Sequence, residues 1–86
     1  MPNTLVVSTF DCPFSEFEAM VKKVDKEEGY VFSELEIIKV NKHKAIILMN
    51  CSDLKKFGAM LGQPELKKWD INYNCVDKVY KLEQID

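Results

Sequence analysis

Arginine is absent: all 12 basic residues are lysine. The guanidinium fork is the side chain of choice for bidentate grip on phosphate or carboxylate. Recognition of that kind is not expected, and an acylphosphatase-type phosphate loop, which needs an arginine, is excluded. Codon usage in an AT-rich genome accounts for the absence, but the chemical consequence holds either way. Paired cysteines are also lacking. Cys12, Cys51 and Cys75 form an odd set with no C-x-x-C spacing, so neither a disulfide framework nor a copper-chaperone loop is expected. Reduced thiols and a cytoplasmic location follow. Long apolar runs are missing too. The longest, residues 45–49, is far short of the roughly 20 residues that span a bilayer. Met1-Pro2-Asn3-Thr4 has no basic region, and Leu5-Val6-Val7 is too short for a secretion signal. With 3 glycines and 3 prolines there is little room for linkers. A net charge of −2 gives no long-range pull toward nucleic acid or an acidic membrane.

What is present describes an ordinary folded domain. The 86 residues are 47% apolar and 30% charged, a composition that supports one domain over residues 1–86 with a modest core. Residues 4–10 are β-rich and end at Asp11-Cys12-Pro13, a turn sequence. Ser15-Glu16-Phe17-Glu18 then fits a capping box, with Phe14 and Ala19 placed as a hydrophobic staple. Phe17, Met20, Val21 and Val24 follow at helical spacing, and Gly29 is the natural stop. Residues 30–40 and 45–51 read as two strands joined by the polar turn Asn41-Lys42-His43-Lys44. Ser52 or Asp53 caps a second helix with an apolar stripe of Leu54, Phe57, Gly58 and Leu61, ending at Gly62. Residues 64–69 suggest one further helical turn, and residues 76–85 a last strand.

The order β-α-β-β-α-β predicts an α+β, ferredoxin-like antiparallel sheet with both helices on one face. Its strand order would be four-one-three-two. Strands one, two and three carry apolar residues on both sides: Ile46 and Leu48 alternate with Ala45, Ile47 and Met49. Two helices cover one face. Exposing the other would leave a larger apolar patch than most monomers carry. The expected cover is a second copy of the chain in a symmetric homodimer.

Leu5-Val6-Val7-Ser8-Thr9-Phe10, Leu54-Lys55-Lys56-Phe57 and Val79-Tyr80-Lys81-Leu82, together with the element order, resemble the dimeric α/β-barrel superfamily of the antibiotic-biosynthesis-monooxygenase type. Small proteins of marine microbes within it are similar. The resemblance covers about the whole chain. It implies two sheets packed face to face and a pocket between each sheet and its own helices. It also implies oxygen activation without a cofactor in some members, using Asn, Trp, Tyr or Arg side chains. Trp69, Asn72, Tyr73 and Asn74 supply three of those types here.

Phe10, Phe14, Phe17, Phe57, Trp69 and Tyr73 are the candidate ligand-binding residues, an apolar lining with two polar handles. Gly58 and Gly62 would leave space beside them, and Lys67 or Lys68 could attract the carboxylate of a fatty-acid-like ligand. An ordinary aromatic core is the plainer reading of the same residues. His43 lies in a turn and suits solvent better than catalysis or haem ligation. Cys12, Cys75 and His43 fall at one end of the sheet, but their spacing matches no compact metal motif, and neither metal nor cofactor is expected. Strand three carries no aromatic for base stacking, which removes an RNA-recognition reading. The expected function is binding of a small apolar or amphipathic molecule by a homodimer. A cofactor-independent monooxygenase, or a structural or regulatory dimer without ligand, are the alternatives.

Overall fold

A computed structural model describes residues 2–27 and 32–85, the side chain of Leu54 apart. Gly29 and the first two residues expected for strand two lie outside the described residues.

The elements run β1 (Thr4–Thr9), α1 (Phe14–Glu27), β2 (Phe32–Asn41), β3 (Lys44–Cys51), α2 (Leu54–Leu61), α3 (Pro64–Tyr73) and β4 (Val76–Lys81). The sheet order is β2-β3-β1-β4 with every pair antiparallel, as the element order predicts. Alternation assigns the two faces. Thr4, Val6 and Ser8 of β1 and Ala45, Ile47, Met49 and Cys51 of β3 are buried, whereas the residues between them are less so. The buried set faces the helices. Phe10, Phe17, Phe57 and Met60 complete the core beneath them.

Three local details depart from the sequence reading. First, α1 begins at Phe14, so Ser15 lies inside the first turn rather than at the cap. The carbonyl of Pro13 accepts from the amides of Glu16 and Phe17 instead, and the proline ring sets the entry geometry. Second, residues 64–69 are only part of a ten-residue helix, α3. Pro64 opens it, and Leu66, Trp69 and Tyr73 keep its inner side half-buried. Asn74 closes it in the left-handed region at φ 49°, a conformation asparagine tolerates better than most residues. Third, β4 stops at Lys81. Ile85 is fully exposed.

Asp53 rather than Ser52 caps α2, accepting from the amides of Lys55 and Lys56 at 3.1 Å each. Gly58, expected to open space near a pocket, does not. It lies on the solvent side of α2, and a Cβ built there meets nothing within 4 Å. Gly58→Ala is therefore expected to stabilise the fold by about 0.5–1 kcal/mol, because alanine loses less backbone entropy in a helix. Thermal unfolding checks this as a rise in Tm of a few degrees.

The face away from the helices carries Leu5 and Val7 beside Leu48 and Ile46 across the β1–β3 ladder. Tyr80 continues the Leu5 row and Ile38 the Ile46 row. Ile38 and Tyr80 remain 43% and 49% exposed. Glu36, Lys44 and Lys78 share this face nearer its margins. The centre of the face is apolar and has no cover within the described chain.

Candidate functional site

Between the inner face of the sheet and the three helices lies a cavity of about 60 Å³. Phe17 and Met20 of α1, Ile47 and Met49 of β3, and Phe57 and Met60 of α2 form much of its wall. Each is there by periodicity: helical spacing in α1 and α2, alternation in β3. Methionine side chains bend easily, so three sides of this wall can adjust to an occupant.

The polar lining is confined to Ser8, Asp70 and Asp77. Ser8 is 1% exposed and donates to Asp77 Oδ1 at 2.5 Å. These two are direct partners in the β1–β4 register, so strand pairing itself places the hydroxyl against the carboxylate. The thiol of Cys75 donates to the same oxygen at 3.6 Å. Asp70 comes from the last turns of α3. Its carbonyl accepts from the amide of Asn74, and also from that of Cys75 at 2.8 Å. This C-terminal closure brings α3 and β4 together, so ligand atoms of Asp70, Cys75 and Asp77 lie within 4.8 Å of one another. Asn74 Nδ2 also donates to Asp11 Oδ2 at 2.6 Å, and Asp11 N to the carbonyl of Tyr73 at 2.7 Å. These bonds fasten the end of α3 to the β1–α1 turn.

The Asp70 carboxyl group and the Cys75 thiol lie in a partly apolar setting beside the charge of Asp77. Burial, and then the charge of Asp77, raise the pKa of Asp70; a bond from the Cys75 thiol offsets part of this. Burial pushes the Cys75 thiol strongly upward, with Asp77 and Asp70 adding to it, so it stays protonated and poorly nucleophilic. Cys12 is likewise raised by burial and by Glu16. Because the folded pKa of Asp70 lies above its ordinary 3.8, the native state holds its proton longer than the unfolded chain does. This contribution to stability is greatest at acid pH and declines as pH rises from about 4 through the folded pKa. Asp70→Asn, which keeps an acceptor for the thiol, is expected to raise Tm at neutral pH and flatten that decline. Thermal unfolding across the pH range measures both.

The six aromatics expected to bind ligand do not all meet. Phe17 and Phe57 line the cavity. Phe10 lies behind Phe17, stacked at 4.3 Å between centroids and 8° between planes. Trp69 packs on Phe17 at 6.1 Å and on Tyr73 at 4.9 Å, continuing that stack outside the cavity lining. Phe57 pairs edge-on with Phe32 at 5.4 Å. Phe14 is apart, in an outer groove of about 370 Å³ with Lys39, Lys42 and His43. Lys39 Nζ sits 5.8 Å from its ring centre. Phe14 is half-buried there, and the other residues lining the groove are exposed. His43 is exposed, as expected of a turn residue, and its amide donates to Asn41 Oδ1 at 2.9 Å. Asn72 is also exposed, so it does not join the cavity.

The residues that sequence reasoning missed are Ser8, Asp70 and Asp77. None has a distinctive spacing; the only available signal was a polar side chain at an inward position of β1 and of β4. Among the described residues, the group of donors suited to a metal is Asp70, Cys75 and Asp77. It includes only Cys75 of the three residues considered from the sequence.

No family model matches the chain, and no curated protein matches it in sequence. Its backbone matches that of SnoaB, a cofactor-independent oxygenase from Streptomyces nogalater. The match has a TM-score of 0.59 over 98% of this chain and 96% of that one, at 13% identity. At that identity the likeness establishes the shared α+β, ferredoxin-like architecture. Among the described residues, no helix is long and apolar enough to cross a membrane.

Proposed function

We propose that the protein is a homodimer that binds a small molecule with an apolar body in the cavity beneath its helices. The observation that carries this reading is the cavity itself: an apolar wall with its polar groups gathered at one place. That is the arrangement expected of a site that fixes both affinity and orientation. At about 60 Å³ the space equals roughly two waters' share of liquid volume. The ligand is therefore small, or it spreads the Met20, Met49 and Met60 side chains on entry. Lys67 and Lys68 are exposed on α3, whereas Asp70 and Asp77 face the cavity. The polar group of the ligand is accordingly a hydrogen-bond donor rather than the fatty-acid carboxylate expected from those lysines.

The dimer is supported by the uncovered apolar centre of the sheet, where Leu5, Val7, Ile46 and Leu48 lie together. Three free thiols suit a reducing compartment such as the cytoplasm. Native mass spectrometry of freshly purified protein tests both parts. A mass of two chains, with a retained small molecule, is the expected result. Single chains at micromolar concentration would remove the dimer.

The second reading is a cofactor-independent oxygenase, favoured by the match to SnoaB along nearly the whole chain. In this protein the side chain placed to take a proton from a bound substrate is Asp77, held by Ser8 at the cavity wall. Oxygen uptake with hydroquinone-type substrates, abolished in Asp77→Asn and retained in Trp69→Phe, would support it. No uptake with any such substrate would remove it.

A further inference from the structure

We propose that the ligand of this cavity is a short primary ammonium compound, with its alkyl body among the methionines and its charged head against Asp70 and Asp77. This rests on the cavity being a ligand site and adds the chemical class of the occupant.

The first argument is charge. Two carboxyl groups face the cavity, and none of the described residues lining it is a lysine or histidine. A partly buried carboxylate without a cation is costly. The neighbours it does have are neutral donors, the Ser8 hydroxyl and the Cys75 thiol. These satisfy hydrogen bonds but leave the negative charge uncompensated. Burial, and then the charge of Asp77, raise the pKa of Asp70, the direction expected of a carboxyl group set beside a like charge with no cation at hand. An ammonium group supplies the missing charge, and its three N–H donors suit acceptors presented from two elements, α3 and β4.

The second argument is shape. The rest of the wall is apolar, with Met20, Met49 and Met60 among its members. A bare metal ion would use the carboxylates and the thiol but leave that wall without an occupant. An alkylammonium ion uses both parts. The volume of about 60 Å³ limits the body to a few carbons. A carboxylate ligand would bring a third negative group to the same corner and is disfavoured by simple repulsion.

The test compares n-propylammonium, n-propanol and propionate, which share an alkyl body and differ at the head. Each is titrated into the full-length protein while the methionine methyl signals are followed by NMR. The wild type is expected to bind n-propylammonium at least about tenfold more tightly than n-propanol, the scale of one charge-assisted hydrogen bond. Both ligands should shift the same methyl groups. In Asp77→Asn the preference should shrink toward unity while n-propanol binding persists. Asp70→Asn gives a second measurement should the first variant fold poorly, and its preference should fall as well. Equal affinity for the ammonium and the alcohol, or strongest binding by propionate, overturns the ammonium assignment and leaves the binding site standing. Methyl signals unmoved by all three ligands overturn the binding site itself. Zinc binding that outcompetes n-propylammonium and is lost in Cys75→Ser would make Asp70, Cys75 and Asp77 a metal centre, also overturning the assignment.

Discussion

Phe17→Ala is expected to remove about 3–5 kcal/mol of stability, the scale found for truncating a buried aromatic. Phe17 is 1% exposed and joins three parts of the molecule. It stacks on Phe10 at the end of β1, meets Trp69 of α3, and forms part of the cavity wall. The truncation would merge the space left by the ring with a void already present, so the surroundings have little means of collapsing around it. At about 0.05–0.15 kcal/mol per residue, a domain of this length holds about 4–13 kcal/mol in all. The variant therefore sits near the edge of folding at room temperature. Urea denaturation should show a large fall in midpoint for Phe17→Ala. Phe17→Leu, which refills most of the volume, should fall less. A loss below about 1 kcal/mol for the alanine variant would mean that the ring does not join these elements as described.

Ile46→Lys is expected to convert the proposed dimer to single chains of 10.0 kDa. Ile46 lies at the centre of the uncovered face, paired with Val7 on one side and Ile38 on the other. In a two-fold assembly each substitution enters the interface twice. Two ammonium groups placed among apolar side chains cost several kcal/mol to desolvate. Because Ile46 points away from Ile47 and the helix side, the protomer core should survive. Sedimentation would read the change in mass, and far-ultraviolet circular dichroism would show the fold retained. An unchanged mass of two chains in Ile46→Lys would place the contact on another surface. A wild type already sedimenting as one chain would remove the face-to-face dimer altogether.

The fold was legible in the sequence because its signals are periodic. The unbroken apolar run of residues 45–49, read as a strand of period two, and the helical stripe from Phe17 to Val24 each constrain many residues at once. The two-faced strands also correctly separate Ile46 and Leu48 from Ala45, Ile47 and Met49, and the structure puts the second set beneath the helices. What periodicity could not supply was the extent of α3. Asp70 and Asn72 are weak helix formers, and only tertiary packing of Leu66, Trp69 and Tyr73 against the core offsets them. The site suffered from the same limit. Large aromatic side chains suit a pocket lining and a core equally well, and here Trp69 and Tyr73 serve to anchor α3. The polar corner arises from a strand register that pairs Ser8 with Asp77 and from a helix end that delivers Asp70. Both are long-range consequences of folding, and no local spacing announces them.

The two rims of the sheet are unequal in a way that bears on how the protein behaves when crowded. The ladder of β2 with β3 is interrupted twice, between Ser33 and Glu36 and between Lys39 and Asn41, with Glu34 at φ 54° inside the first break. Such irregularities twist a border strand and spoil it as a template. The ladder of β4 with β1 runs unbroken from Val76 to Lys81, and Val76, Val79 and Tyr80 on that strand are well exposed. Its main deterrents are the charges of Lys78 and Lys81. Uncontrolled growth by strand addition therefore has a preferred direction, outward from β4. The solution lifetime of the protein should depend on those two lysines far more than on any charge along β2.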